Sequence, residues 1–282
     1  MINIFGSIGY THFINITNNK NLLLFADKHD DIPSCENKIN IAEWLESKFK
    51  KSIILLEEVP RLDNELLALW DESIHTKELK ELYLNNKSTV IPIDIRHQII
   101  PFSWEVIVDK KDILYNISLN KYLLLIDECL SMKNPYLKQH CKLYNHKLLI
   151  NTPLGEHFLS IKDNFKEFIN KIKKLNILYE LIPIIYKKYQ YILEEINEII
   201  SSIMEWYICA CICVYNNRQL IIHIGLAHSE QIVKLLNTKY NYKLVEQQGI
   251  NKLNDIESTN LSGCVKITKT LNNQFGGFFN KL

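Results

Sequence analysis

Four short apolar runs, each closed by a cluster of charged side chains, constrain this chain more than any other feature. Leu22–Ala26 runs into Asp27-Lys28-His29-Asp30-Asp31, and Ser52–Leu56 runs into Glu57-Glu58 before Pro60 stops it. Thr89–Ile95, which carries Asp94 near its end, runs into Arg96-His97, and Gln219–Ile224 runs into Gly225-Leu226-Ala227-His228-Ser229-Glu230. The runs are too short for helices and are continuously apolar, the pattern of strands covered on both faces. Helical spacing fills the intervals. It recurs over Ile39–Lys51 through Ile41, Leu45 and Phe49, over Asp63–Tyr83 through Leu66, Leu69, Trp70 and Leu79, and over Ser229–Asn237. Strands alternating with helices make parallel crossovers, so the spacing predicts an α/β fold: a mostly parallel sheet with flanking helices.

The middle of the chain breaks that rhythm. Residues 102–215 read as helix punctuated by Pro135, Pro153 and Pro183. This predicts a large helical insertion before the late strand, inside one α/β domain spanning 1–282 and placed to serve as a lid. Tyr186, Tyr189, Trp206 and Tyr207 give the insertion an aromatic character, for which core packing is the ordinary explanation. Ile199–Tyr215 is apolar but falls short of the roughly 20 residues a membrane span needs, and it carries Glu205, so it reads as a core helix. Weaker strand signals lie at Tyr242–Val245 and Cys264–Ile267, and Phe275–Phe279 reads as a loose end.

Composition excludes more than it assigns. The formal net charge is +1, which draws the chain neither to nucleic acid nor to an anionic membrane surface. Of 33 basic residues only Arg61, Arg96 and Arg218 are arginine, and lysine, asparagine and isoleucine crowd the sequence, as an AT-rich genome dictates. The seven cysteines are odd in number, and Met1–Tyr10 has neither the basic segment nor the apolar segment of a signal peptide. Reduced thiols and an intracellular, soluble protein are the expectation. The Asn-x-Ser/Thr triplets at Asn15 and Asn116 are then chance matches. Cys129, His140, Cys141 and His146 do not have the spacing of a zinc module. Cys209, Cys211 and Cys213 diverge around a helix, and Gly155-Glu156-His157 reads as the capped start of one.

The chemistry concentrates at the four strand ends. Ligands of an open parallel sheet bind outside the carboxyl ends of its strands, so all four clusters share one edge. Two histidines with carboxylates, His29, His228 and Glu57, are a ligand set for manganese, cobalt or zinc, and a metal with an open position makes a nucleophile of its water. Without metal, a histidine oriented by a carboxylate serves as a general base. Arg96 suits a substrate carboxylate or developing negative charge, with Asp94 and Asp27 shaping the substrate end. The bland alternatives stand beside these. A histidine after a strand is ordinarily a loop residue, Asp94 and Arg96 can simply pair with each other, and His97 and His223 are weaker candidates, His223 as a satisfied core histidine.

In that order, Ala26-Asp27-Lys28-His29, Glu57, Asp94 with Arg96, and Gly225-Leu226-Ala227-His228 resemble the motifs of the superfamily that groups erythromycin esterases, the haem-binding lipoprotein ChaN, the Tiki proteases and the TraB-like proteins. The resemblance covers the whole chain, but only as short motifs. Two departures stand out: Ala26 replaces the first motif's glycine and Asp27 the glutamate of the esterase-like branch. The resemblance implies metal-dependent peptide cleavage, metal-independent ester hydrolysis, or ligand binding without catalysis. Two function classes follow. One is a hydrolase acting on a small-molecule or peptide substrate, with His29, His228 and Glu57 catalytic. The other is a non-catalytic protein holding haem, a metal or a protein ligand. A metallophosphoesterase, suggested by Asp27-x-His29, ranks below both because no Gly-Asp-x-x-Asp or Gly-Asn-His follows.

Overall fold

The computed structural model describes residues 1–60, 74–99, 117–131, 133, 151–257 and 261–276. It divides into two compact units, Met1–Ile93 with Cys211–Leu282, and Asp94–Ala210.

The first unit is built on strands β1 (Ile2–Phe5), β2 (Gly9–Asn15), β3 (Asn21–Asp27), β4 (Lys38–Asn40), β5 (Ser52–Leu56), β6 (Val90–Pro92), β7 (Gln219–Gly225), β8 (Tyr242–Gly249) and β9 (Cys264–Ile267). Its main sheet has the order β6-β5-β7-β3-β2-β8. The four apolar runs form its parallel core: β3 pairs with β7, β7 with β5, and β5 with β6, all parallel. Leu22 to Ala26 are all fully buried, as are Ile54 and Leu55. Each large apolar side chain so covered is worth about 1.5–3 kcal/mol over its exposed state. Helices α1 (Ile41–Glu46), α2 (Ile74–Asn85) and α8 (Leu226–Thr238) join these strands, and α9 (Lys269–Gln274) closes the unit.

Several elements differ from the sequence expectation. The chain opens with two strands, and β2 turns back antiparallel onto β3. Asn15 makes that turn: its Oδ1 accepts from the backbone N–H of Thr17 at 2.9 Å and of Asn18 at 3.2 Å. A second, three-stranded sheet pairs β1 parallel to β4 and antiparallel to β9. The expected helix over Ile39–Lys51 is shorter, because Lys38–Asn40 joins that sheet and Lys48 is drawn fully into the core. There its ammonium donates to Asn272 Oδ1 at 2.6 Å and lies 4.6 Å from the Trp44 ring centre. Burial pushes Lys48 down to about 8. Phe275 is not part of a loose end: it is fully buried and its carbonyl accepts from Ser52 Oγ. The cysteine expectation also changes, since Cys35 and Cys264 form a disulfide. Cys129, Cys209, Cys211 and Cys213 are not in a disulfide.

The second unit holds α3 (Arg96–Ile99), α4 (Leu119–Leu130), α5 (Pro153–Lys174), α6 (Ile182–Lys188) and most of α7 (Gln190–Val214). Thr152 caps α5 by accepting from Gly155 N, so Gly155-Glu156-His157 forms the first turn and is not the cap itself. The aromatics that the sequence offers as core include Trp206, which stacks on Phe158 and donates Nε1–H to Leu154 O, and buried Tyr207. Helix α7 is long and apolar enough to cross a membrane, but 72% of its most apolar window is buried inside the protein, as in the core helix of a soluble protein. His140, Cys141 and His146 lie outside the described residues, as do 61–73, 102–116 and most of 132–150 within the expected helices.

Candidate functional site

Parallel pairing decides what meets at the sheet edge. Asp27, at the end of β3, sits in register with Gly225 at the end of β7, and Leu56 of β5 with His223 of β7. Glu57 continues this register by donating its backbone N–H to His223 O. Three of the four clusters therefore converge on one point.

At that point lies a line of hydrogen-bonding groups. His75 Nε2 is 2.9 Å from Asp27 Oδ1, Asp27 Oδ2 is 3.0 Å from His29 Nδ1, and His29 Nε2 is 3.1 Å from Glu57 Oε2. Glu57 Oε2 also accepts the backbone N–H of Gly225, the residue that opens α8. A carboxylate at the start of a helix is favoured by the helix dipole. His228, in the first turn of α8, places Nε2 3.9 Å from Glu57 Oε1. The side chains of Asp27, Glu57 and His228 are buried, while that of His29 is 46% exposed.

The electrostatics follow from this packing. Burial alone would lower the His29 pKa, but the hydrogen bonds to Asp27 and Glu57 and their charges outweigh it and raise it to about 11. Burial alone would raise the Asp27 carboxyl, yet the hydrogen bonds from His29 and His75 hold it well below the usual carboxylate range. His29 is thus an imidazolium clamped between two carboxylates. His223 has the opposite fate. It is fully buried, burial lowers its pKa, and its Nε2 donates to Gly6 O at 2.8 Å, so it is the satisfied core histidine the sequence suggests.

Gly225 permits the closest approach in the site. A Cβ there would lie 2.8 Å from His29 Nε2 and 3.2 Å from Glu57 Oε2. His29 itself has a φ of 58°, the left-handed region that a β-carbon-bearing residue rarely occupies. Such strain costs on the order of 1–3 kcal/mol and persists where surrounding contacts over-determine it.

Asp94 and Arg96 belong to the helical unit, where they form a two-pronged ion pair, Nε to Oδ1 and Nη2 to Oδ2, both at 2.8 Å. His97 follows on α3. Asp30 and Asp31 are exposed in the loop after β3, Glu58 donates its N–H to Leu56 O, and Glu230 accepts from Leu253 N. Ser229 is buried in α8. His75 is the group that sequence reasoning missed. It lies on α2, away from any strand end, and only the fold carries it to Asp27.

Both His29 nitrogens face carboxylates, and among the described residues no group of three or more histidine, cysteine, aspartate or glutamate side chains is arranged to hold a metal ion. No protein-family model, curated protein or solved structure matches this chain.

Proposed function

We propose that the sheet unit is a metal-independent hydrolase of an ester- or peptide-type bond in a small-molecule or peptide substrate, with Glu57 as general base and His29 as general acid. One observation carries this reading: Asp27, His29 and Glu57 form a single line at the carboxyl edge of parallel strands, His29 bonded to Glu57 at 3.1 Å and 3.0 Å from Asp27 Oδ2, buried except at His29. A protonated histidine accepts no proton, so the base is the carboxylate beside it, backed by the Gly225 N–H. Glu57 Oε1 and His228 Nε2 lie 3.9 Å apart, so the carboxylate and the imidazole both face the place where the attacking water would be held.

In the reaction, that water attacks the substrate carbonyl carbon and gives a proton to Glu57. The tetrahedral adduct collapses as the bond to the leaving oxygen or nitrogen breaks, and His29 protonates the leaving group. The proton on Glu57 then returns to His29 across their 3.1 Å contact, and the site is restored. Asp27 holds the imidazolium in orientation, and His75 holds Asp27.

The test is a panel of activated esters and short peptides with wild type, Glu57→Gln and His29→Gln, each treated with a chelator and then with added manganese, cobalt or zinc. Turnover that survives the chelator and falls by about 10²–10⁴-fold in either variant supports the reading. A dependence on added metal overturns it. Saturable binding of a ligand such as haem without turnover favours the second reading, a non-catalytic binding protein.

A further inference from the structure

The segment that presents His29 has no regular structure of its own. Between β3 and β4 the chain runs ten residues, Lys28 to Asn37, without helix or strand. Few bonds hold it. Ile32 packs in a small apolar cluster with Ile8, Ala26, Leu226 and Ile250, so its anchor shares a cluster with Ala26 and Leu226 of the site motifs. Pro33 O accepts from Gly263 N at 2.9 Å, and Glu36 O accepts from Asn3 Nδ2 at 3.0 Å. The one covalent attachment is Cys35 to Cys264, at the first residue of β9. Gly263 and Cys264 together therefore grip the loop at Pro33 and Cys35, six residues or fewer beyond His29. Both cysteines are half-buried, within reach of solvent thiols.

We infer that the Cys35–Cys264 disulfide is a reversible redox clamp on the loop that presents His29 to Glu57. A dithiol reductant opens it: one thiolate attacks a sulfur of the bridge, the mixed disulfide is resolved by the second thiol, and two electrons and two protons pass to Cys35 and Cys264 as the reductant becomes a cyclic disulfide. Released at Cys35, the loop loses its one covalent anchor and keeps non-covalent ones: the Ile32 packing, the hydrogen bonds at Pro33, Ser34 and Glu36, and the contacts of His29 with Asp27 and Glu57. With that covalent anchor gone, the left-handed backbone at His29 is held by the Asp27 and Glu57 contacts alone on its loop side, and it relaxes as the loop moves. Any effect on turnover rests on the hydrolase reading, whereas the clamp itself does not.

Hydrogen exchange by mass spectrometry on the full chain tests this, with the protein air-oxidised or treated with dithiothreitol. An NMR titration of the His29 ring runs alongside. The oxidised form should carry the 35–264 cross-link in a non-reducing peptide map. On reduction, exchange in residues 28–37 should rise by about tenfold or more, while β3, β5 and β7 keep their protection. The His29 ring should titrate at a lower pH once reduced. Cys35→Ser and the double variant Cys35→Ala with Cys264→Ala should match the reduced wild type and ignore dithiothreitol. Because the reduced wild type is itself a probe, a variant that fails to fold does not obscure the result. Absence of the cross-link after oxidation, or identical exchange and titration in both forms, overturns the clamp. A clear exchange change with no turnover in either form leaves the clamp standing and removes the hydrolase reading.

Discussion

His29 combines a strained backbone, a half-exposed ring and two buried carboxylate partners, and each part predicts something separable. Its pKa in the folded protein, about 11, exceeds the ordinary 6.5, so the folded state binds this proton more tightly. The stability it contributes is fully present below pH 6.5 and is lost as pH rises toward 11. The stability difference between wild type and His29→Gln, measured by urea denaturation, should be flat below pH 6.5 and shrink steadily on the alkaline side. A difference that grows with pH would mean His29 is neutral in the folded protein. Gly225→Ala probes the same contact from the other side. Its Cβ would intrude to 2.8 Å from His29 Nε2, so the ring must leave Glu57. Overpacking of this kind costs about 1–3 kcal/mol, and the His29 titration should move down toward 6.5. At this scale the sequence is informative about Asp27, His29, Glu57 and His228, because a strand end is visible as an apolar run that stops. It is silent about His75 and about the Gly225 N–H, whose roles arise from tertiary contact.

Among the elements, the four parallel strands are legible because continuous burial leaves a continuous apolar run. Strand β2 is not, although six of its seven residues are buried. It carries Thr11, His12 and Asn15, polar groups that the fold satisfies: His12 Nε2 meets Asn21 Oδ1 at 2.9 Å, and Thr11 Oγ1 accepts from Gln247 Nε2 at 2.9 Å. Polar residues with partners on neighbouring strands look like surface residues until those strands are known. The β2–β3 turn rests on the Asn15 side chain, which takes two backbone N–H groups and is itself 5% exposed. Asn15→Ala should therefore cost about 0.5–1.5 kcal/mol in denaturant unfolding, the net worth of a hydrogen bond whose donors water can reach. Asn15→Asp, which keeps the accepting oxygen, should recover most of it. In the helical unit, Thr152→Ala removes the cap of α5 and should cost about 0.5–2 kcal/mol, with the loss confined to exchange protection of Pro153–Lys174.

For the whole molecule, the disulfide and the division into two units make a joint prediction. Cys35 and Cys264 are 229 residues apart in sequence, and the entire helical unit, Asp94–Ala210, lies within the loop they close. Both cysteines belong to the sheet unit. Cross-links of long loops stabilise by about 2–4 kcal/mol, chiefly by restricting the unfolded chain. If the units unfold separately, a helical unit that stays folded shortens the effective loop to about half, which changes the closure entropy by only about 0.6 kcal/mol. The cross-link then retains nearly its full effect on the sheet unit and has none on the helical unit, whose two ends it does not join. Exchange followed during denaturation should show the protection of β3, β5 and β7 falling at lower urea after reduction, with α5 and α7 unmoved. If both sets move together by the same amount, the chain unfolds as one cooperative body and the two units are a feature of packing alone. The odd number of cysteines is compatible with either outcome, because parity fixes neither which thiols pair nor how many; pairing is set by β9 bringing Cys264 to the loop after β3.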